Sequence, residues 1–306
     1  MQRYILRRSA QGLLAIIVIS MVVFALARVT GDPTQVLLPD EASEEQILQT
    51  QIEWGLDKPL HIQYFVYIKR LTRGDLGNSF KWAGVPASEL IAERLPATVP
   101  LSAFALLISA AIAFPVGVLV AVKKDTGIDY AGKMVAILGQ SAPSFALGLI
   151  LMWVFAVQLD WFPTSGRGGL SHMVLPGVAL GYYNVAALMR LTRSSMLEVL
   201  DTEYVKLARI KGVSERRVIW KHCFRNALIV PLTYFGLIGA VLITGSVVTE
   251  TVFAWPGLGA LVIEAILARD FTVVQAVVLL FAFTFILINI MVDILYAYID
   301  PRIRYS

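Results

Sequence analysis

DTEYVKLARIKGVSERRVIWKHCFRNALIVP, residues 201–231, is a water-soluble, strongly basic stretch between long apolar runs, patterned as a helix, a glycine stop and a second helix. Leu197, Leu200, Tyr204, Leu207 and Ala208 recur at helical spacing, so one face of the first helix is apolar while Lys206, Arg209 and Lys211 cover the other. Asp201 and Glu203 fall where the positive end of the helix dipole lies, and Lys211 at the negative end. Gly212 is expected to adopt the left-handed conformation that closes a helix. Ser214 is expected to cap the next helix, which carries Arg216, Arg217 and Lys221 before the chain turns apolar again at Ala227. A short rigid helix held between two membrane spans suits docking against a soluble partner.

Working outward, the chain of 306 residues is 57% hydrophobic and only 16% charged, a depletion that marks an integral membrane protein. Its one cysteine, Cys223, forms no internal disulfide, and His61, His172 and His222 make no metal-spaced cluster with it. Basic residues gather in particular loops, which is a topology signal before it is a nucleic-acid one. At the N-terminus, Arg3, Arg7 and Arg8 precede an apolar run at about 12–27 that reads either as a span or as a signal peptide ending at Ala25-Leu26-Ala27. Either way Gly31 is placed outside, and residues 31–96 form a polar external segment. Within it, Ser43 and Gln46 make a capping box. Asp57-Lys58-Pro59 opens a second helix with a stripe of Leu60, Tyr64, Tyr67, Ile68 and Leu71 and with Lys69, Arg70 and Arg73 in water. That helix fits the lipid interface and a seat over the spans equally well. Residues 74–79, GDLGNS, are turn-like, and with no GxxxxGK[ST] anywhere the chain is not expected to hydrolyse ATP itself.

Five more apolar runs, at about 98–122, 134–157, 174–191, 227–253 and 273–298, each reach span length. The second loop holds Lys123, Lys124 and Lys133, and the fourth holds Arg190, Arg193, Lys206, Arg209, Lys211, Arg216, Arg217, Lys221 and Arg225, whereas the third and fifth loops hold only Arg167 and Arg269. The pattern predicts an all-α membrane protein of six spans with both termini and residues 201–231 in the cytoplasm. Gly236, Gly239 and Ala240 offer a small-residue face, so the fifth span is expected inside the assembly.

A series of motifs in order then resembles a known family over nearly the whole chain: RYILRR at 3–8, GDP at 31–33, WGLDKPL at 54–60, RGDLGNSF at 73–80, ERLPAT at 93–98, SAPSFALG at 141–148, RLTRSSMLEVL at 190–200, ETVFAWPGLG at 250–259 and YAYIDPRIRY at 296–305. The chain resembles the membrane-spanning permease subunit of an ATP-binding-cassette importer of the dipeptide, oligopeptide and nickel group. Such permeases keep their first span. Residues 1–97 then form the first span with its external segment, and 98–306 a five-helix permease core with a coupling loop at 192–226. Residues 201–231 resemble the EAA loop, whose coupling helix enters a cleft on the ATPase. The Glu-Ala-Ala positions here read Lys206-Leu207-Ala208, and ARIKG at 208–212 followed by RNA at 225–227 and Pro231 is the peptide-permease style. The resemblance implies that Glu203, Tyr204, Leu207, Ala208, Arg209, Lys211 and Gly212 make the ATPase contact. It further implies a bacterial or archaeal inner membrane, a second, similar permease, two ATPase subunits that bind ATP and Mg, an extracytoplasmic binding protein and no cofactor or nucleic acid on this chain. Short peptides are the expected substrates, while nickel complexes, glutathione and some sugars use similar permeases.

Polar residues inside spans are costly and usually face a cavity or a partner. Gln140 and Ser141 before a kink expected at Pro143, Asn184 in the fourth span and Glu250 in the fifth are candidates for the translocation path, with hydrogen bonding between helices as the competing role for each. Asn289 is a sixth-span candidate of the same kind, and Glu250 and Asp293 lie near span ends, where they are expected to reach water. Two rival classes remain. Gly139-Gln140-Ser141-Ala142 resembles the GxSx of intramembrane proteases, but all three histidines are expected in loops, away from that serine. A proton-coupled secondary transporter would need Glu250 or Asp293 at the midplane with a partner. Uptake into vesicles is therefore expected to follow ATP and to survive collapse of the proton gradient; uptake that dies with the gradient contradicts the importer reading.

Overall fold

The computed structural model describes residues 2–29, 43–53 and 55–299. The GDP motif at 31–33, Trp54 and the 300–305 part of the last motif lie outside the described residues. Among the described residues the regular elements are helices, with one isolated antiparallel bridge between Asn78 and Pro86. In chain order they are α1 (Gln2–Val29), α2 (Glu44–Glu53), α3 (Leu60–Leu71), α4 (Ala87–Val122), α5 (Gly127–Ser141), α6 (Ser144–Gln158), α7 (Leu170–Leu200), α8 (Glu203–Ile210), α9 (Glu215–Ala227), α10 (Ile229–Gly245), α11 (Val247–Val252), α12 (Leu258–Leu267) and α13 (Phe271–Ile299). Within α1, α4, α7 and α13 run four unbroken stretches long and apolar enough to cross a membrane. The pair α5 and α6, bent by 101°, and the pair α9 and α10, bent by 55°, reach that length only as broken units, which makes six crossings with each pair counted once.

The apolar run at 134–157 is thus not the straight span that its composition suggests, and the run at 227–253 is divided at Ser246 between α10 and α11. Pro143 supplies the first break: Ala142 is extended (φ −96°, ψ 132°), as the residue before a proline prefers, and the helix cannot run through it. The last halves of α6 (Met152–Gln158) and the middle of α9 (Val218–Phe224) are wound as π-helix. One further apolar helix, α12, has only 10 residues and is too short to cross a membrane.

The spine is α4, whose 36 residues extend about 54 Å and pass without interruption through the position between residues 97 and 98. It contains Pro96, Pro100 and Pro115. Pro100 has no amide to give to the carbonyl of Pro96, and Arg167 Nη2 donates to that oxygen instead at 2.8 Å. Next to it, Trp255 Nε1 donates to Ala97 O at 3.0 Å. Ala97, Leu101 and Ala105 of α4 pack with Leu180 of α7, with Ile238 and Leu242 of α10, and with Trp255. At its start, Ala87, Leu90 and Ile91 pack with α12 and α13, and at its end Val118 and Ala121 pack with α7, α8 and α9.

In lipid the helices gain little from burying apolar surface, so close approach through small residues holds them together. Ser109 Oγ donates to Gly181 O across the α4–α7 contact at 2.9 Å, and a Cβ on Gly181 would lie 2.8 Å from Ala105 O. The small face expected on the fifth span is used in the same way: Gly236 abuts Val292 of α13, Gly239 faces Leu106 of α4, and Ala240 is buried.

Between α1 and α4, helix α3 and the turn that follows it are tied to the spans. The capping box is present, with Gln46 N donating to Ser43 Oγ (3.3 Å) and Ser43 N to Gln46 Oε1 (3.0 Å). Helix α3 lies against the first span: Tyr64 meets Phe24 edge to face, Tyr67 packs on the same ring at a tilt, and the Tyr64 hydroxyl meets Ser20 Oγ at 2.8 Å. The turn at 74–79 is bolted down by the buried Asp270, which accepts from Ser79 Oγ and from the amides of Phe80 (2.9 Å) and Lys81 (3.1 Å). The histidines are not in loops: His61 is in α3 and His172 in α7, each near the helix start, and His222 is in the π-wound middle of α9. Gly181→Ala is expected to push α4 from α7 and cost about 1–3 kcal/mol, lowering the thermal midpoint in detergent. Gly127→Ala, with open space around it, should leave that midpoint unchanged.

Candidate functional site

The hairpin of α8 and α9 is built from local rules. The helix expected to run from Leu197 to Lys211 is in fact two, because α7 ends at Leu200 and Thr202, extended at ψ 150°, starts α8 afresh. Leu197 and Leu200 therefore belong to a span, and the apolar residues of α8 divide between two faces. Val205 is fully buried among Met196, Val118, Ala121, Val218 and Cys223, with Ala208 beside it. Tyr204, Leu207 and Ile210 point out, 43%, 50% and 81% exposed. Gly212 closes the helix at φ +76° in a Schellman arrangement: Gly212 N donates to Arg209 O (2.9 Å) and Val213 N to Ala208 O (3.2 Å). Ser214 occupies the cap position before α9, although its side chain makes no capping bond.

Cross-links fix the angle between α8 and α9. Arg209 makes a two-pronged ion pair with Glu215 (Nη2 to Oε1 2.8 Å, Nε to Oε2 3.2 Å), while Lys206 Nζ pairs with Glu203 at 2.8 Å within α8 itself. Glu215 holds the Arg209 guanidinium above its ordinary range, and Glu203 does the same for the exposed Lys206 amine. Asn226 Nδ2 donates both to the Tyr204 hydroxyl (2.9 Å) and to His222 O (2.8 Å). Arg209 is thus turned toward its own hairpin, while Lys211 is exposed beside the tip. The result is a rigid hairpin that presents a three-residue apolar ridge.

The four candidates for the translocation path do not converge. Gln140 is half-buried at the α5–α6 break, and the neighbouring Ser141 is exposed with its Oγ donating back to Ile137 O at 2.8 Å. Asn184 is buried and donates to Leu180 O at 3.3 Å, sharing a stripe of α7 with Leu180 and Leu188. Gly139 meets α7 at Tyr182 and Ala186, each two positions from Asn184 and so on a nearly opposite face of that helix.

Glu250 does not reach water as its place near a span end suggests: it is fully buried. Its Oε1 accepts from Thr98 Oγ1 and Ser246 Oγ, both at 2.8 Å, and its Oε2 from the amides of Gly259 (2.7 Å) and Ala260 (3.2 Å). Thr98 Oγ1 also accepts from Leu258 N at 2.8 Å. Three amides at the start of α12, left without intrahelical acceptors, are capped by side chains from elsewhere in the chain. Asp293 is partly exposed and pairs with Arg8 at 3.3 Å, and Asn289 donates to Phe285 O. Sequence reasoning missed the Thr98–Glu250 cap and a buried carboxylate at Asp129. The motifs ERLPAT and ETVFAWPGLG carried the first pair without showing that they touch, and Lys133 four residues after Asp129 was the one local hint of the second.

Comparison with known proteins is consistent along the whole length. The model described as binding-protein-dependent transport system inner membrane component matches residues 113–305, and the model of that group's N-terminal part matches residues 1–102. A chain of Brucella abortus named for a peptide transport system, as its permease protein, is 42% identical over 315 residues and covers all of both chains. The glutathione transport system permease protein GsiC of Salmonella typhimurium is 40% identical over 307 residues, again over all of both. Among solved structures, an amino acid ABC transporter crystallised with histidines superposes with TM-score 0.51 at 15% identity, over 70% of this chain and 94% of that one, a likeness of fold.

Two substitutions test the geometry. Glu250→Ala strands four donors and is expected to cost at least about 3 kcal/mol, read as a lowered thermal midpoint, whereas Glu250→Gln, whose amide can face the two rotatable hydroxyls, should cost less than about 1.5 kcal/mol. Gly212→Ala is expected to cost roughly 1–2 kcal/mol through its positive φ. Gly212→Pro cannot take that φ and should unmake the hairpin, seen as protease cleavage at 209–217 in a protein still in the membrane.

Proposed function

The chain belongs to the binding-protein-dependent transport system inner membrane components, and on that premise we propose that it is the importer permease for short peptides, with α8 as the helix gripped by the ATPase. It is a multi-pass inner-membrane subunit that works with an ATPase and a substrate-binding protein. It is not an enzyme: ATP hydrolysis belongs to the separate ATPase subunits, which on this reading number two and hold the ATP and Mg. A second, similar permease completes the path. Both termini and the α8–α9 hairpin face the cytoplasm, in keeping with the loop charges. Peptides are favoured as substrates because the relatives are named for peptide and glutathione transport, and glutathione is itself a tripeptide.

The observation that carries the reading is the ridge of Tyr204, Leu207 and Ile210 on a helix otherwise fixed by Val205. Apolar side chains exposed on a rigid polar hairpin gain free energy only when a partner covers them. Closure of the ATPases would then displace α8 as a rigid body and tilt the spans that end beneath it. The rival classes fare poorly on the same geometry. Ser141 donates its hydroxyl to its own helix, and the four donors around Glu250 leave it no role as a mobile proton carrier.

Of the four path candidates, Gln140 and Ser141 at the break and Asn184 keep that role in this proposal, while Glu250 is assigned to holding α12. Leu207→Asp with Ile210→Asp is expected to weaken ATPase binding by at least about 100-fold, since each buried aliphatic side chain contributes about 1.5–3 kcal/mol. Co-purification of the ATPase subunits reads this directly, and a doubly substituted chain that still brings them down at normal yield refutes the assignment.

A further inference from the structure

Asp129, in the first turn of α5, is fully buried and holds a two-pronged ion pair with Arg193 of α7 (Oδ1 to Nε 2.8 Å, Oδ2 to Nη2 2.9 Å). Lys133 Nζ lies 2.9 Å from the same carboxylate, and Asp125 N donates to it at 3.0 Å. A fork of this kind fixes orientation as well as distance, and a buried ion pair serves registration better than stability. Arg193 sits between Thr192, which closes against Gly117 of α4, and Met196, which lies in the apolar seat of α8. The ends of α4 and α7 and the whole of α8 are therefore one packed block.

Helix α5 otherwise packs through small residues, meeting α4 where Gly132 lies against Val120 and meeting α7 along its length. Its face toward α7 is made of small residues, Ala136 against Ala186 and Met189 and Gly139 against Tyr182 and Ala186, while Met134, Val135, Ile137 and Leu138 point away. At its far end α5 is separated from α6 by the break at Ala142-Pro143 and the 101° bend. One end of α5 is thus clamped to the block beneath α8 and the other ends in a joint.

We propose that the Asp129–Arg193 pair, supported by Lys133, is the link that makes α5 follow α8, so that a displacement of α8 swings α5 about Ala142-Pro143 while α6 stays with its own neighbours. Asp129, Lys133 and Arg193 are positioning residues in this scheme, and Gln140 and Ser141, at the joint, are what they move. The inference rests on the reading of α8 as the ATPase contact.

The test uses the assembled complex with its ATPase subunits, reconstituted in lipid, in a background lacking Cys223. Spin labels at Leu138 on α5 and Leu149 on α6, both exposed, report the distance across the joint with and without a non-hydrolysable ATP analogue. The unsubstituted complex should show a nucleotide-dependent shift, and Asp129→Asn should reduce it to less than half while ATP hydrolysis stays within twofold. The exchange Asp129→Arg with Arg193→Asp should restore most of the shift, and Arg193→Lys, which lacks the fork, should fall between. No shift in the unsubstituted complex, or a full shift in Asp129→Asn, overturns the proposal. Hydrolysis that falls in step with the shift in both Asp129→Asn and Arg193→Lys also overturns it, because the cluster then merely holds the fold. Retained ATPase binding by the Leu207 and Ile210 variants would instead remove the premise about α8, a separate result.

Discussion

The carboxylate of Glu250 is the constraint on which the far half of the molecule depends. An apolar helix as short as α12 cannot cross a bilayer, and its first amides have no water to turn to. Glu250 and Thr98 together supply those amides with acceptors, and in doing so they tie α11, α12 and α4 at one point. Trp255 and Arg167 reinforce the same place by donating to the carbonyls of Ala97 and Pro96. Polar groups that look like features of a solute path in the sequence are here consumed by backbone that the prolines and the helix start leave unsatisfied.

At the opposite end of α4 the design is reversed. There the core beneath α8 is apolar, and charges are placed around it in pairs: Arg209 with Glu215, Lys206 with Glu203, Arg193 with Asp129. One helix thus has a hydrogen-bonded anchor at one end and an apolar seat with an ion-paired collar at the other. Small-residue contacts with α7 join the two. A body built in this way transmits force along its length, which suits a transporter whose energy source lies outside the chain.

Much of this was legible in the sequence for local reasons. The six apolar runs, the stop at Gly212, the capping box at Ser43 and Gln46, the break at Pro143 and the small face of Gly236 and Gly239 all follow from residue type and spacing. What composition concealed was of two kinds. Continuity was misjudged where a single residue decides it, as at Thr202, which separates α8 from α7, and Ser246, which lies between α10 and α11. Pairing was invisible where partners are remote: Asp129 and Arg193 are 64 positions apart and Thr98 and Glu250 are 152 apart, and no pattern within a window contains both. Glu250 near a span end read as solvated for that reason.

The separation of Thr98 from Glu250 and Leu258 also orders events during biogenesis. A chain made from its N-terminus delivers Thr98 to the bilayer long before its partners exist, since 152 and 160 positions must still be translated. Until then α4 carries its hydroxyl acceptor without the amide it serves, and the start of α12 has no stable place to lie. The lock therefore cannot close until α12 has been made, and a nascent protein interrupted before residue 260 leaves the ribosome with its far half unfastened.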